Sequence, residues 1–397
     1  MATLSFDQAR GCVIEKVTEA RQPLAVEEIA LFDSSERVLA ESLRADRDYP
    51  PADRSVRDGF AVRSADVPGE LSIAGEVRAG GIFQGELAPG QAIEIMTGAP
   101  MPRGADAVVM VEHTAVIGEK VRIDRALRHG ENINRRGSEA GQGCVLLEAG
   151  CRIDYAALAL LATCGHSRVK VFRRLRVAIL TTGDEVLEVE ETPADHQIRN
   201  SNAYSLAAQV KRAGACPHIL PVARDVYQST RDLIERGLDY DLLLLSGGVS
   251  AGKYDIVEQV LADLGAEFFF DRVSIQPGQP LVFGRARDKF FFGLPGNPAS
   301  TMVTFEVFAR AAIDLLGGLR ETAFPLTWAR LTKEFRQKPG LTRFLPAHLD
   351  TRGLDLTPVA WQGSSDVPSL ARANAYLVTE PDREQWEAGE MIRVLLK

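Results

Sequence analysis

The run Ser246-Gly-Gly-Val-Ser-Ala-Gly-Lys-Tyr-Asp255 has the residue types of an anion cradle. It follows a short apolar stretch at residues 242–245, and a helical pattern resumes over about 255–264. A strand, a glycine turn and a helix start, in that order, leave backbone N–H groups at the positive end of a helix. Together with the hydroxyls of Ser246 and Ser250 they would hold an anion there. Asp255 adds a carboxylate beside the cradle. Two negative groups tolerate that proximity when a divalent cation lies between them. The stretch therefore predicts a phosphorylated ligand held with a metal ion. A lone glycine turn more often does no more than let a helix pack on a sheet, so the other segments must decide.

They supply further carboxylates. Thr181-Thr-Gly-Asp-Glu185 ends an apolar strand at residues 177–180, and Arg224-Asp225 ends another at 218–222. Pro295-Gly-Asn-Pro298 follows a third strand and leads into a helix, with Pro298 where a first helical turn accepts proline and leaves nearby N–H groups free. Asp184 and Asp225, each alone, read equally well as helix caps or loop residues. Asp184, Glu185, Asp225 and Asp255 at one rim are more than packing requires. Metal-assisted chemistry on a phosphate ester or anhydride would use them, through charge neutralisation and templating. No nucleophile-elbow G-x-S-x-G, P-loop lysine pattern or dinucleotide-binding glycine motif is present, which weakens hydrolase-triad and dinucleotide readings.

The elements that must position these residues are strands alternating with helices from residue 175 onward: strands near 177–180, 218–222, 241–245, 268–270 and 289–293, and helices near 203–212, 229–236 and 299–316. That alternation implies a mostly parallel sheet covered on both faces, with ligands bound outside the carboxyl ends of the strands. Before it, residues 5–21 read as a helix capped by Ser5, with Gln8 completing a capping box. Residues 59–124 switch to short alternating runs separated by Gly and Pro turns, a small β domain. Met96-Thr-Gly-Ala-Pro-Met-Pro within it reads as a rigid connecting turn. Residues 155–164 form an apolar helix, and 325–397 return to short strands, with 363–371 as a polar loop. The expected class is α/β plus β, multidomain: a mostly parallel α/β ligand-binding domain, an inserted small β domain and a C-terminal β-barrel or sandwich. The expected borders are 1–43 with 140–173 for a discontinuous, elongated linker domain, 44–139 for the inserted domain, 174–321 for the α/β domain and 322–397 for the last.

The net charge of −8 argues against a nucleic-acid binder. No apolar run approaches the roughly 20 residues that span a bilayer. Five scattered cysteines without a C-x-x-C pair predict a reducing cytoplasm rather than a zinc site or disulfide framework.

Seven motifs, spread over nearly the whole chain and in the right order, resemble the molybdopterin molybdenumtransferase family, that of MoeA and the gephyrin E domain. They are Asp53-Arg-Ser-Val-Arg-Asp-Gly-Phe-Ala-Val, Ile95-Met-Thr-Gly-Ala-Pro-Met-Pro, residues 132–137, Thr182-Gly-Asp-Glu, Ser246 to Asp255, Ile275-Gln-Pro-Gly-Gln-Pro and Gly293-Leu-Pro-Gly-Asn-Pro. The resemblance implies that adenylylated molybdopterin and molybdate, the co-substrate, give molybdenum cofactor and AMP, with magnesium assisting cleavage of the pyrophosphate. It implies a homodimer in which the inserted β domain of one subunit reaches the α/β cleft of the other. Asp58, which has no obvious role in its own domain, and Thr97 would then join the metal-binding Glu185, Asp225 and Asp255. Ser246, Gly247, Gly248, Ser250 and Gly252 would hold phosphate or pterin, and Pro295, Gly296, Asn297 and Pro298 would line the same pocket.

Two departures stand out. Where many family members carry lysines that would attract molybdate, this chain has Gln276 and Gln279, which hydrogen-bond an oxyanion without supplying charge. Arg272, Lys253 and Arg343 are expected to take over the positive field, and a preference for tungstate stays open. Two alternatives also stay open: adenylylation of molybdopterin, the preceding step, whose enzymes resemble residues 175–318 and could be partners of this chain; and a non-catalytic molybdopterin-binding scaffold.

Overall fold

The computed structural model of the chain describes residues 2–22, 24–248, 256–322 and 324–397. Contacts divide it into two units: Met1–Ala40 with Gly150–Asp154 and Arg168–Lys397, and Glu41–Ala149 with Tyr155–Ser167. The fold is α/β plus β and multidomain. Among the described residues no helix is long and apolar enough to cross a membrane.

The larger unit is built on a six-stranded sheet. Its parallel part runs Cys216–Ile219, Arg176–Thr181, Leu242–Ser246, Lys289–Leu294. Side chains on the two central strands alternate between faces. Val177, Ile179, Leu242 and Leu244 pack with Leu206, Val210 and Phe308 on one side. Ala178, Leu180, Leu243 and Leu245 pack with Ile234, Val257 and Leu261 on the other. A strand apolar at every position is what burial on both faces demands. Each such Leu or Ile contributes roughly 1.5–3 kcal/mol of burial, so the strand ends that carry the candidate site stand on a rigid base.

The sheet is completed by two antiparallel strands, Pro280–Ala286 and Glu267–Arg272. The first has no counterpart among the strands expected from sequence. It contains Pro280 and Gly284, and it joins the next strand through Arg287 and Asp288, both at positive φ (48° and 62°). That is the geometry of a tight hairpin made without the Asn-Gly signal that announces one.

The expected first helix is present as Phe6–Ala20 with its Ser5–Gln8 capping box. The expected long helix at 299–316 forms as Pro298–Thr304 and Arg310–Leu316 joined by a π turn, Phe305–Ala309. The polar loop expected at 363–371 is corrected: Val367–Arg372 is a helix, capped by Asp366, whose carboxylate accepts from the Ser369 N–H. Residues 326–396 close into a five-stranded barrel in which Thr342–Asp350 pairs with both Asp355–Pro358 and Ala375–Thr379. Trp386 and Leu377 fill its core.

The second unit carries a six-stranded sheet ordered Ala107–Met110, Gly59–Val62, Gln91–Ile95, Gly69–Val77, Lys120–Ile123, Thr114–Ile117. Apolar clusters on both of its faces bury Phe60, Val62 and Val109 on one side and Ala61, Ile93 and Val108 on the other.

Candidate active site

The strand ends converge as the alternation predicts. A cleft of about 580 Å³ is lined by Glu185 and Asp225, the turn glycines Gly247 and Gly248, and the Pro295-Gly296-Asn297 entry to a helix. Glycine is required at both turn positions. Gly247 and Gly248 lie at φ 89° and 65°. A Cβ on Gly247 would sit 2.8 Å from the Thr182 carbonyl oxygen, and one on Gly248 would sit 2.7 Å from the Thr182 hydroxyl. Gly183 leaves room of another kind: a Cβ there would meet the Glu185 carboxylate at 2.5 Å. The Glu185 side chain therefore folds over its own turn.

Arg224 fixes that turn. Its guanidinium donates to the carbonyls of Asp184 and Val186 at 3.0 and 3.3 Å, on either side of Glu185. The Asp225 N–H donates to the Asp184 carboxylate at 3.1 Å. Asp184 is thus a turn acceptor, and Glu185 and Asp225 are the carboxylates of the cleft among the described residues. From the sequence Arg224 is only a strand end. Its signal, a cation next to one candidate carboxylate, has no meaning until residues 184–186 are brought beside it.

Ser246 corrects the expectation that its hydroxyl faces a ligand. It is fully buried, and its oxygen accepts from Asn202 Nδ2 at 2.8 Å. Pro298 opens its helix as expected, whereas Asn297 makes no side-chain cap and donates to the Ser364 hydroxyl at 2.9 Å. The Ser364 carbonyl takes the Ala299 N–H. Ser364, in the segment expected to be a polar loop, therefore braces the helix entry. Ser250, Gly252, Lys253 and Asp255 lie outside the described residues. Among the described residues no three His, Cys, Asp or Glu side chains converge on one point.

Among the described residues, those expected to attract the oxyanion, Arg272, Gln276, Gln279 and Arg343, are absent from the lining of this cleft. Arg272 and Gln279 are exposed. Gln276 is committed elsewhere: its Oε1 accepts from Arg343 Nε at 2.7 Å, where residues 275–276 pair in parallel with 342–343. Arg343 is only 9% exposed. It also donates to Gln337 Oε1 and the Lys338 carbonyl at 2.8 and 2.7 Å. Burial pushes its pKa down from the ordinary value. The cation is held by neutral oxygens.

In the second unit, Asp58 and Thr97 do meet. Asp58 Oδ1 accepts from the Thr97 N–H at 2.6 Å and from its hydroxyl at 2.8 Å. These two donors, the N–H first, hold the carboxyl below the usual range. The expectation that Asp58 has no role in its own domain is corrected, since it pins the 96–102 turn. Gly59 next to it allows a close crossing, for a Cβ there would lie 1.8 Å from the Val109 carbonyl oxygen.

A glycine turn, two carboxylates and a proline-led helix around one cleft, among the described residues at the carboxyl ends of parallel strands, define an α/β domain with a candidate ligand cleft, here combined with β modules. Models of known families match it segment by segment: the MoeA N-terminal region (domain I and II) over residues 4–165, a probable molybdopterin binding domain over 178–314 and the MoeA C-terminal region (domain IV) over 328–397. The chain is 37% identical to the molybdopterin molybdenumtransferase of Bacillus subtilis, over 96% of its own length and 92% of that protein. It is 33% identical to that of Staphylococcus epidermidis, over 93% and 90%. The solved molybdopterin biosynthesis MoeA protein of Pyrococcus horikoshii OT3 superposes with a TM-score of 0.83 at 25% identity, covering both chains fully. The chain belongs to the molybdopterin molybdenumtransferase family.

Proposed function

We propose that this chain inserts molybdenum into adenylylated molybdopterin, taking molybdate as co-substrate, forming molybdenum cofactor and releasing AMP. The observation that carries the reading is the cleft in which Glu185 and Asp225 face the Gly247–Gly248 turn, in a chain of this family. The Gly247 N–H already donates to the Leu294 carbonyl, so the backbone N–H groups of Gly248, Gly296 and Asn297 are the ones suited to phosphate oxygens. Glu185 and Asp225 are hard oxygen donors of the number magnesium uses when substrate phosphates complete its shell, and Asp255 is the third expected ligand. Magnesium there would neutralise charge on the pyrophosphate. Arg224 keeps Glu185 in place for that role. Arg343, with Gln276, Gln279, Arg272 and Lys253, is the proposed source of attraction for the oxyanion. The working form is a homodimer in the cytoplasm, where the five free cysteines stay reduced. The Asp58–Thr97 corner of one copy would serve the cleft of the other, with the substrate delivered by an adenylyltransferase partner. The four-part division at 1–43 with 140–173, 44–139, 174–321 and 322–397 is retained in this proposal.

The test is reconstitution with adenylylated molybdopterin, molybdate and magnesium. AMP release should require molybdate, and Glu185→Gln or Asp225→Asn should lower turnover on the order of a hundredfold. Adenylyl transfer from ATP to molybdopterin, without cofactor formation, would sink the proposal in favour of the preceding step. Tight substrate binding with no turnover would favour a scaffold, a reading prompted by the neutral Gln276 and Gln279.

A further inference from the structure

An alcove of about 50 Å³ adjoins the cleft, sharing Thr182, Glu185, Gly247 and Gly296 with it. Its inner wall is Asn200 and Asn202, which are 2% and 7% exposed. Each holds one end of its amide in a fixed place. Asn200 Oδ1 accepts the Ala203 N–H at 3.2 Å and the Thr181 hydroxyl at 3.0 Å. Because a backbone N–H can only donate, the oxygen must be at that end. Asn202 Nδ2 donates to the Gly296 carbonyl at 2.7 Å and to Ser246 Oγ at 2.8 Å. Because a carbonyl can only accept, the nitrogen must be at that end. Among the described residues, the remaining atoms, Asn200 Nδ2 and Asn202 Oδ1, are buried and have no partner, as is the case for Thr182 Oγ1. Buried polar groups are almost always paired, and orphans gathered in one place call for a bound partner.

The orphans define that partner. Asn200 offers a donor and Asn202 an acceptor. Their complement is an acceptor beside a donor on one edge of an uncharged ring. Asn200 caps the helix Ser201–Arg212, so the helix's positive end favours the ring's acceptor at that spot. The alcove has the volume of only one or two waters, enough for the edge of a ring and not for the whole of it. Ile198, 56% exposed on its rim, offers an apolar surface for a ring face. We propose that Asn200 and Asn202 read the lactam edge of the pterin, Asn200 donating to the ring carbonyl and Asn202 accepting from the neighbouring ring N–H. This rests on the reading that the cleft binds an adenylylated pterin. It adds two specificity residues that no motif in the sequence pointed to.

Asn200→Asp is the discriminating variant. It keeps the oxygen that caps the helix and turns the donor into an acceptor, and because it buries a carboxylate its melting temperature is measured alongside the wild type to confirm that it folds. Binding of free pterin, followed by its fluorescence, and of AMP, followed by calorimetry, is measured on the full chain. Pterin affinity should fall about tenfold or more in Asn200→Asp, with AMP affinity unchanged. KM for adenylylated molybdopterin should rise while KM for molybdate stays. Equal pterin affinity in the two proteins, failure of the wild type to bind pterin, or loss of AMP binding in place of pterin binding overturns the assignment. Wild-type cofactor formation, assayed in parallel, separates the two levels. If it proceeds while Asn200→Asp keeps pterin affinity, only the assignment falls. If it does not proceed, the proposed function falls.

Discussion

Arg343 and Asp58 solve the same problem with opposite charges. Each is an ionised side chain held by neutral partners: amide and carbonyl oxygens around Arg343, an N–H and a hydroxyl on Asp58. Among the described residues neither makes an ion pair with an opposite charge. A charge fixed in this way keeps its field available for a ligand. They differ in burial. Arg343 is nearly enclosed, whereas Asp58 is exposed. An enclosed charge is poorly screened and depends on every hydrogen bond it makes, while an exposed one is screened by water and salt. The first should therefore matter strongly to stability as well as to function, the second mainly to function, with only a small, pH-dependent share of stability.

The largest effect should come from Arg343→Ala. It removes a charged donor from four acceptors and opens a cavity where Gln276 and Arg343 join two parts of the larger unit. A loss of about 2–3 kcal/mol in chemical denaturation is expected, together with a raised KM for molybdate. If the variant is as stable as wild type, enclosure is not what distinguishes the two sites.

Asp58→Asn comes next. Turnover should fall on the order of tenfold or more while the thermal midpoint hardly moves. Mixing this variant with Asp225→Asn should restore part of the activity if each cleft is completed by a second copy. Two variants that stay inactive when mixed, although dimeric, would break the shared-site reading.

The smallest effect should be that of Thr97→Val, which keeps the N–H donor and deletes the hydroxyl. The folded Asp58 pKa is depressed, so the stability this residue adds is complete above the usual carboxylate range. It is lost as pH falls through the depressed value. Removing the hydroxyl should move the pKa part of the way back up, so that the loss is smaller and is complete at a higher pH. An NMR titration of the carboxyl carbon reads the change, and an unmoved midpoint would mean that the N–H alone sets it.

Much of the site was legible because strand ends and glycine turns are local features. Glu185, Asp225, Gly247 and Gly248 each sit directly after an apolar run, and in a parallel sheet all such ends must face one rim. The Phe6–Ala20 helix was legible for a similar reason, since its cap is made by Ser5 and Gln8, three residues apart. The Val367–Arg372 helix was missed although Asp366 and Pro368 announce it, because seven polar and small residues hid its short apolar face. The strand Pro280–Ala286 was missed because its turn, Arg287-Asp288, takes a conformation its residue types do not advertise.

By itself, then, the sequence determined the kinds of element, their order and the carboxylates and glycines of the cleft, all of which follow from neighbours within a few positions. Only the tertiary structure decided which polar groups are spent and which are left over. Gln276 is taken by Arg343, 67 residues away, and Ser246 by Asn202, 44 away. Arg224 clamps a turn 38 to 40 residues upstream. Hydrogen bonds at such separations depend on how the sheet registers its strands, and no local pattern records that. Among the described residues the same long-range bonds leave Asn200 Nδ2 and Asn202 Oδ1 without partners, which is why the alcove beside the glycine turn is visible only in the folded chain.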